Sequence, residues 1–210
     1  MPGNLLLSLA VWLIEILLVT SLVSDAWLRS VQRREEAEVV QFLGKTKSAE
    51  IRRDADRAFD ALFVRTGVQE TVRHYFIPTE AERQSSIGLE DVGRENLFPF
   101  LADRLQVVWD GVAQTLRRFH LVVAWWPFAV ATVVPFAWDG LIRRKIKQSN
   151  FDYSSPLAHR FSLYAILGTG YLLMVGLTLP FAVPPVAIPM ALAVVALAAN
   201  VYLAHTQKRV

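Results

Sequence analysis

Cysteine is absent from the 210 residues. With no thiol, disulfides and thiolate metal sites are excluded, and any segment outside the cytoplasm must be held by packing alone. Histidine is nearly as scarce. His74, His120, His159 and His205 are the four present, and none stands at helical spacing from a second ligand, so no metal site is expected. Also missing are a phosphate-loop lysine motif, a G-x-S-x-G nucleophile elbow and an H-E-x-x-H helix. Ser154 and Ser155 have no base and no oxyanion loop beside them; they are expected to precede Pro156 at a helix start. No enzymatic activity and no cofactor are expected.

Charge is the next scarcity, and it is local. The chain is 53% hydrophobic with a mean hydropathy of +0.33, yet 20% of its residues are charged. The two kinds are segregated. Residues 24–118 hold fifteen Lys/Arg and sixteen Asp/Glu, whereas the remainder holds seven cations and only Glu15, Asp139 and Asp152 as acids. The net charge of +3 therefore comes from cations near apolar runs and does not support nucleic-acid binding by overall charge.

Four of those apolar runs match the roughly 20 helical residues that cross a hydrocarbon core. They are Leu5–Val23, about Leu121–Trp138, about Phe161–Phe181 and about Val186–Ala204. The first has no basic residue ahead of it and exceeds the usual signal-peptide apolar stretch, so a retained anchor is expected. The fold class expected is all-α, a polytopic membrane protein with four transmembrane helices. In order, its parts are a first span over 1–23, a helical extracytoplasmic segment over 24–118, a second span over 119–141, a basic loop over 142–160, a transmembrane hairpin over 161–204 and a tail over 205–210.

Orientation follows from the basic loop. Arg143, Arg144, Lys145, Lys147 and Arg160 face one acid, Asp152, and short Lys/Arg-rich loops stay in the cytoplasm. Both termini are then cytoplasmic, residues 24–118 face the periplasm, and the uncharged turn at Pro180–Pro185 lies on the same far side. Together with His159, these five cations have two readings: a topological anchor that touches anionic lipid headgroups, or a docking surface for an acidic cytoplasmic partner.

The outward segment reads as helical. From Ser24 the apolar residues Trp27, Leu28, Val31, Val39, Phe42 and Leu43 suggest that the first span continues as an amphipathic helix. A second helix is expected to start after Thr46 or Ser48 with Ile51, Ala55, Ala58, Phe59 and Leu62 on one stripe. Gly67 is placed to end it, a short helix over 68–76 precedes Pro78, and residues 79–94 read as a loop. A last helix runs from about Glu95 into the second span. Its Phe98, Leu101, Leu105, Val108, Val112 and Leu116 recur at spacings of three and four, a packing seam. The seam either closes a small bundle with the helix over 48–66 or contacts another protein, including a second copy of this chain.

Glu15 sits near the middle of the first span, where an ionisable group is costly. It serves either ion or proton movement or, protonated, a hydrogen bond to a neighbouring helix. Gly168 and Gly170 lie within an apolar span and suggest close helix approach, as do Ala187 and Ala191. Trp27, Trp125, Trp126 and Trp138 fall near the span ends as an interfacial belt.

Taken as a pattern, one outward helical segment followed by WDGLIRRKIKQSNFDYSSPLAHRF resembles the integrating conjugative element membrane proteins, four-span proteins of mobile elements and conjugative plasmids. The stretch Asp139–Arg160 carries most of the likeness. It implies a bacterial inner-membrane component or accessory of a type IV secretion-like DNA transfer apparatus, partnered by other membrane proteins of that complex or by itself, and it brings no catalytic residues. Two rivals stay open: a small transport component that uses Glu15, and an envelope factor that excludes incoming elements.

Overall fold

In the computed structural model, residues 23–77, 97–150 and 155–206 are described. They form α1 (Asp25–Leu43), α2 (Lys45–Phe59), a π-helical turn (Asp60–Val64), α3 (Val68–Phe76), α4 (Leu97–Ala124), α5 (Trp126–Ser149), α6 (Pro156–Thr178) and α7 (Ala187–Ala204). No strand occurs among the described residues. The all-α class is observed. The expected first span, Glu15 and the loop over 79–94 lie outside the described residues.

The chain divides into two units, and the division falls within α4, after His120. The first unit contains the described residues up to His120 together with Leu177–Ala182; the second contains Leu121–Gly176 and the residues from Val183 onward.

In the first unit, α1 is a separate helix where a continuation of the first span was expected. Ser24 is extended (φ −82°, ψ 150°) and its hydroxyl accepts from the Trp27 backbone N–H, which is the geometry of a helix start. Asp25 in the first turn suits the positive helix end and pairs with Arg29 four residues on. The helix stops at Gly44, whose φ of +83° disfavours any side chain. That same glycine lets α2 begin at Lys45, earlier than expected. α2 buries Ser48, Ile51 and Ala55 along one stripe. Leu62, expected on that stripe, is exposed, because the π-helical turn inserts extra residue spacing and rotates the apolar face. Phe63 takes its place: Phe59 and Phe63, tilted to each other, both meet the buried Trp109 of α4 edge to face, with ring centroids 5.3–6.2 Å apart in the cluster. Gly67 (φ +73°) then separates the turn from α3, which covers Val68–Phe76 as expected.

In the second unit the expected second span is broken. α4 ends at Ala124 and α5 begins at Trp126, with Pro127 at its start. Proline cannot donate to the preceding turn and clashes with the carbonyl four residues back, so the break falls there. Pro135 is accommodated inside α5. α6 begins with Pro156 at its first position and the Ser155 hydroxyl accepting from Ala158 N–H, the start that the S-S-P triplet suggests.

Two helices are long and apolar enough to cross a membrane, α6 and α7, and a third span is obtained only if the bent pair α4–α5 is counted as one. The described residues thus supply two or three spans where three of the four expected runs lie. α6 and α7 are inside out: Leu157, Phe161, Leu167, Leu172, Met174, Met190 and Leu197 are all at least half exposed. A helix apolar on every face is solvated by lipid or protein and not by water.

Close approach of helices occurs at Gly140, not at Gly168 or Gly170. A Cβ on Gly140 would stand 2.5 Å from the Asn200 carbonyl oxygen of α7, while nothing lies within 4 Å of one on Gly168 or Gly170. The small buried residues of α7 are Ala196, Ala198 and Ala204.

Candidate functional site

Two polar constellations stand out, one in each unit. In the first, Arg118 of α4 is 6% exposed and meets Glu35 of α1. Its Nε donates to Glu35 Oε1 and Oε2 at 3.0 and 3.2 Å, and Nη2 to Oε1 at 2.6 Å. Nη1 donates to the carbonyls of Leu177 (3.3 Å) and Leu179 (2.6 Å), and Nη2 to that of Phe181 (2.7 Å). All five guanidinium N–H groups thereby find acceptors. The three carbonyls alternate along the chain from the last turn of α6 into the segment beyond it, where a helix leaves its last carbonyls unpaired. The carbonyl between the last two, that of Pro180, accepts from the Trp27 indole N–H at 3.1 Å, and Trp27 meets Phe181 edge to face. Gln114, one turn before Arg118, donates to Glu35 Oε2 at 3.0 Å.

This constellation is invisible in local spacing, since Glu35 and Arg118 are 83 residues apart. One signal was available: Val107, Gln114, Arg118 and Leu121 repeat at sevens, fours and threes, and all four are buried. At about 100° per residue, that stripe lies on nearly the opposite side of α4 from the expected seam. Leu101, Leu105, Val108, Val112 and Leu116 are each only half buried, and the side chain of Phe98 lies outside the described residues. Trp109, at the edge of the seam, meets the α2 end and the π-helical turn.

In the second unit the basic cluster does not form one surface. Asp139, Arg143 and Lys147 follow one face of α5 at intervals of four. Arg143 Nε donates to Asp139 Oδ2 at 2.7 Å, and the Asn200 amide of α7 donates to the same carboxylate and to the Phe136 carbonyl, both at 2.8 Å. Lys147 Nζ stands 3.2 Å from His205 Nε2, while the Ser155 backbone N–H donates to His205 Nδ1 at 3.0 Å. A backbone N–H can only donate, so Nδ1 is the unprotonated nitrogen of that ring. His159 of α6 stacks on Tyr202 of α7 at 4.3 Å. Arg160 donates to the Tyr164 hydroxyl at 3.1 Å and lies over its ring.

Arg144 and Lys145 turn elsewhere. With Trp138, Leu141, Ile142 and Gln148 they line an open cleft of about 310 Å³. Of the six expected contact residues, then, Lys147 and His159 lie against α7, Arg143 and Arg160 are exposed and bound to partners on their own helices, and Arg144 and Lys145 share a cleft. Asn200, Tyr202 and Trp138 belong to this region and were not among them. Among the described residues no three His, Asp or Glu converge on a point where a metal ion could sit.

Neither the curated proteins nor the solved structures contain a significant match to the chain. A family model does match: it is described as IncC plasmid conjugative DNA transfer protein DtrJ-like and covers residues 19–208, nearly the whole chain. The chain belongs to this DtrJ-like family of conjugative DNA transfer proteins.

Proposed function

We propose that the protein is a non-enzymatic inner-membrane component of a conjugative, type IV secretion-like DNA transfer apparatus, acting through helix packing and not through turnover. The family match over residues 19–208 carries the reading to conjugation. It does not extend to the narrower resemblance to integrating conjugative element membrane proteins, and the proposal needs no particular kind of element. The apolar exteriors of α6 and α7 carry it to the membrane. In this reading the first span joins the described ones to make four, both termini are cytoplasmic, and residues 24–118 face the periplasm. The partners are membrane proteins of the transfer complex or further copies of this chain. The half-buried seam from Leu101 to Leu116 and the exposed aromatics of α3, Tyr75 and Phe76, are the open surfaces available to them.

The test begins with deletion in the donor and complementation. DNA transfer should fall when the gene is missing from the donor and return with the wild-type copy. Unchanged donation, with an effect only on incoming elements, would replace this reading with the exclusion reading. Alkaline phosphatase fused after Glu70 should be active and a fusion after Thr206 inactive. The reverse pattern inverts the topology and removes the periplasmic contacts. Crosslinking in membranes followed by pull-down should retain other transfer proteins.

A further inference from the structure

The divided basic cluster has a consequence for lipid. Along α5 the cleft residues are ordered by polarity. Trp138, Leu141 and Ile142 come first, then Arg144, Lys145 and Gln148 toward the helix end. At 1.5 Å per residue the set spans about 15 Å. Trp138 is 66% exposed, an amphipathic ring with no packing partner over most of its surface. Arg143 and Lys147, on the neighbouring face, are engaged by Asp139 and His205. Arg144 and Lys145 form no ion pair among the described residues, and the Arg144 Nε is shielded from solvent without a hydrogen-bond partner there.

An apolar strip that runs into an amide and two cations with no ion pair among the described residues matches one molecule end to end: a phospholipid, acyl chain first and phosphate last. A planar guanidinium takes two phosphate oxygens as a fork, and a lysine adds a point charge. Trp at the boundary between chain and headgroup is the usual interfacial placement. We infer that the Trp138–Gln148 cleft binds one anionic phospholipid of the cytoplasmic leaflet, with its phosphate on Arg144 and Lys145 and its chain on Trp138, Leu141 and Ile142. The inference rests on the membrane part of the function proposed above. It assigns the two halves of RRKIK different work: Arg143 and Lys147 lie on the face of Asp139 and His205, and Arg144 and Lys145 hold lipid.

The test uses the full-length protein purified in detergent and examined by native mass spectrometry. Phosphatidylglycerol, phosphatidylethanolamine and inorganic phosphate are added separately. Wild type should retain one phosphatidylglycerol in preference to phosphatidylethanolamine. The double variant Arg144→Gln, Lys145→Gln should lose about thirtyfold in retention, from two cations near a headgroup. Arg143→Gln should keep the lipid. Trp138→Ala, which removes no charge, should reduce retention as well and serves if the double variant fails to fold. Equal retention by the double variant, loss of lipid in Arg143→Gln to the same degree, or full retention in Trp138→Ala would overturn the inference. Displacement of the lipid by millimolar inorganic phosphate would also overturn it, since the site would then take a free anion. Failure on any of these leaves donor fractionation and DNA transfer unaffected, so the function proposed above stands or falls separately.

Discussion

The two units bury opposite things. In the first, charge covers the surface. Seven of the ion pairs in α1 to α3 are exposed pairs such as Arg52–Glu36 and Arg65–Asp60, yet the interior holds Arg118, Glu35 and Gln114. In the second, the surface is apolar, α5 meets α7 at Gly140 and through the Asn200 amide, and the small residues Ala196 and Ala198 are buried along α7. Exposed pairs of the first kind are worth little each. The difference says where specificity comes from. In an aqueous segment with a small apolar core, a fully satisfied buried ion cluster specifies which segments meet. In an apolar medium, hydrophobicity cannot choose among helix faces, so small residues and one polar anchor do.

The comparison breaks most visibly at Arg118. Arg118→Ala removes the guanidinium from Glu35 and from three carbonyls, and breaking such a pair costs ~3–5 kcal/mol. Thermal unfolding of the purified protein should show the largest loss of any single change considered. Replacing both partners, Glu35→Leu with Arg118→Met, should recover most of it. A double variant as unstable as Arg118→Ala would mean that the carbonyls of Leu177, Leu179 and Phe181 need the guanidinium more than Glu35 does.

These contrasts mark what can be read in a sequence. The two long apolar helices α6 and α7, the S-S-P start of α6, Gly67 and the short helix up to Phe76 follow from length, hydropathy and local turn chemistry. What escaped is nonlocal or a matter of register. The π-helical turn moved Leu62 outward and Phe63 inward, and nothing in DALFV announces a π turn. Pro127 breaks the expected second span, because it stands at the start of α5. The seam on α4 was chosen by apolarity, and the helix buries the stripe that carries Gln114 and Arg118 instead. Polar residues at core spacing mark a buried network, and a search for apolar residues passes over them. The basic cluster was legible as a cluster, but its division into two faces depends on what α7 offers to each.

The second unit can be probed through its glycines. Gly140→Ala places a methyl group 2.5 Å from Asn200 O and 3.0 Å from its Cα, both backbone atoms that cannot swing aside. Helices α5 and α7 must separate, at ~1–3 kcal/mol by the usual cost of overpacking. Gly168→Ala meets nothing within 4 Å and removes a flexible residue from a helix interior, so it should stabilise by ~0.5–1 kcal/mol. Opposite signs for two chemically identical changes in one unit, measured by thermal unfolding, would locate the close approach at Gly140. Equal signs would deny it.

The smallest effect expected concerns His205, a titratable group of the second unit that stands beside a cation, where the titratable pairs of the first unit are of opposite charge. Burial holds its imidazole below the ordinary value of 6.5, with Lys147 and then His159 pushing the same way. The geometry agrees, since Nδ1 accepts from Ser155 and Nε2, which bears the proton in the neutral ring, faces an ammonium. A second proton would cost the Ser155 bond and set two cations side by side. The folded value lies below the unfolded one, so the stability contributed by the neutral ring is complete above pH 6.5 and is lost as pH falls through the folded value. Melting curves taken from about pH 8 down to about pH 5 should therefore decline in the acid half, and His205→Gln should flatten that decline. A slope that survives the substitution would place the titrating group elsewhere.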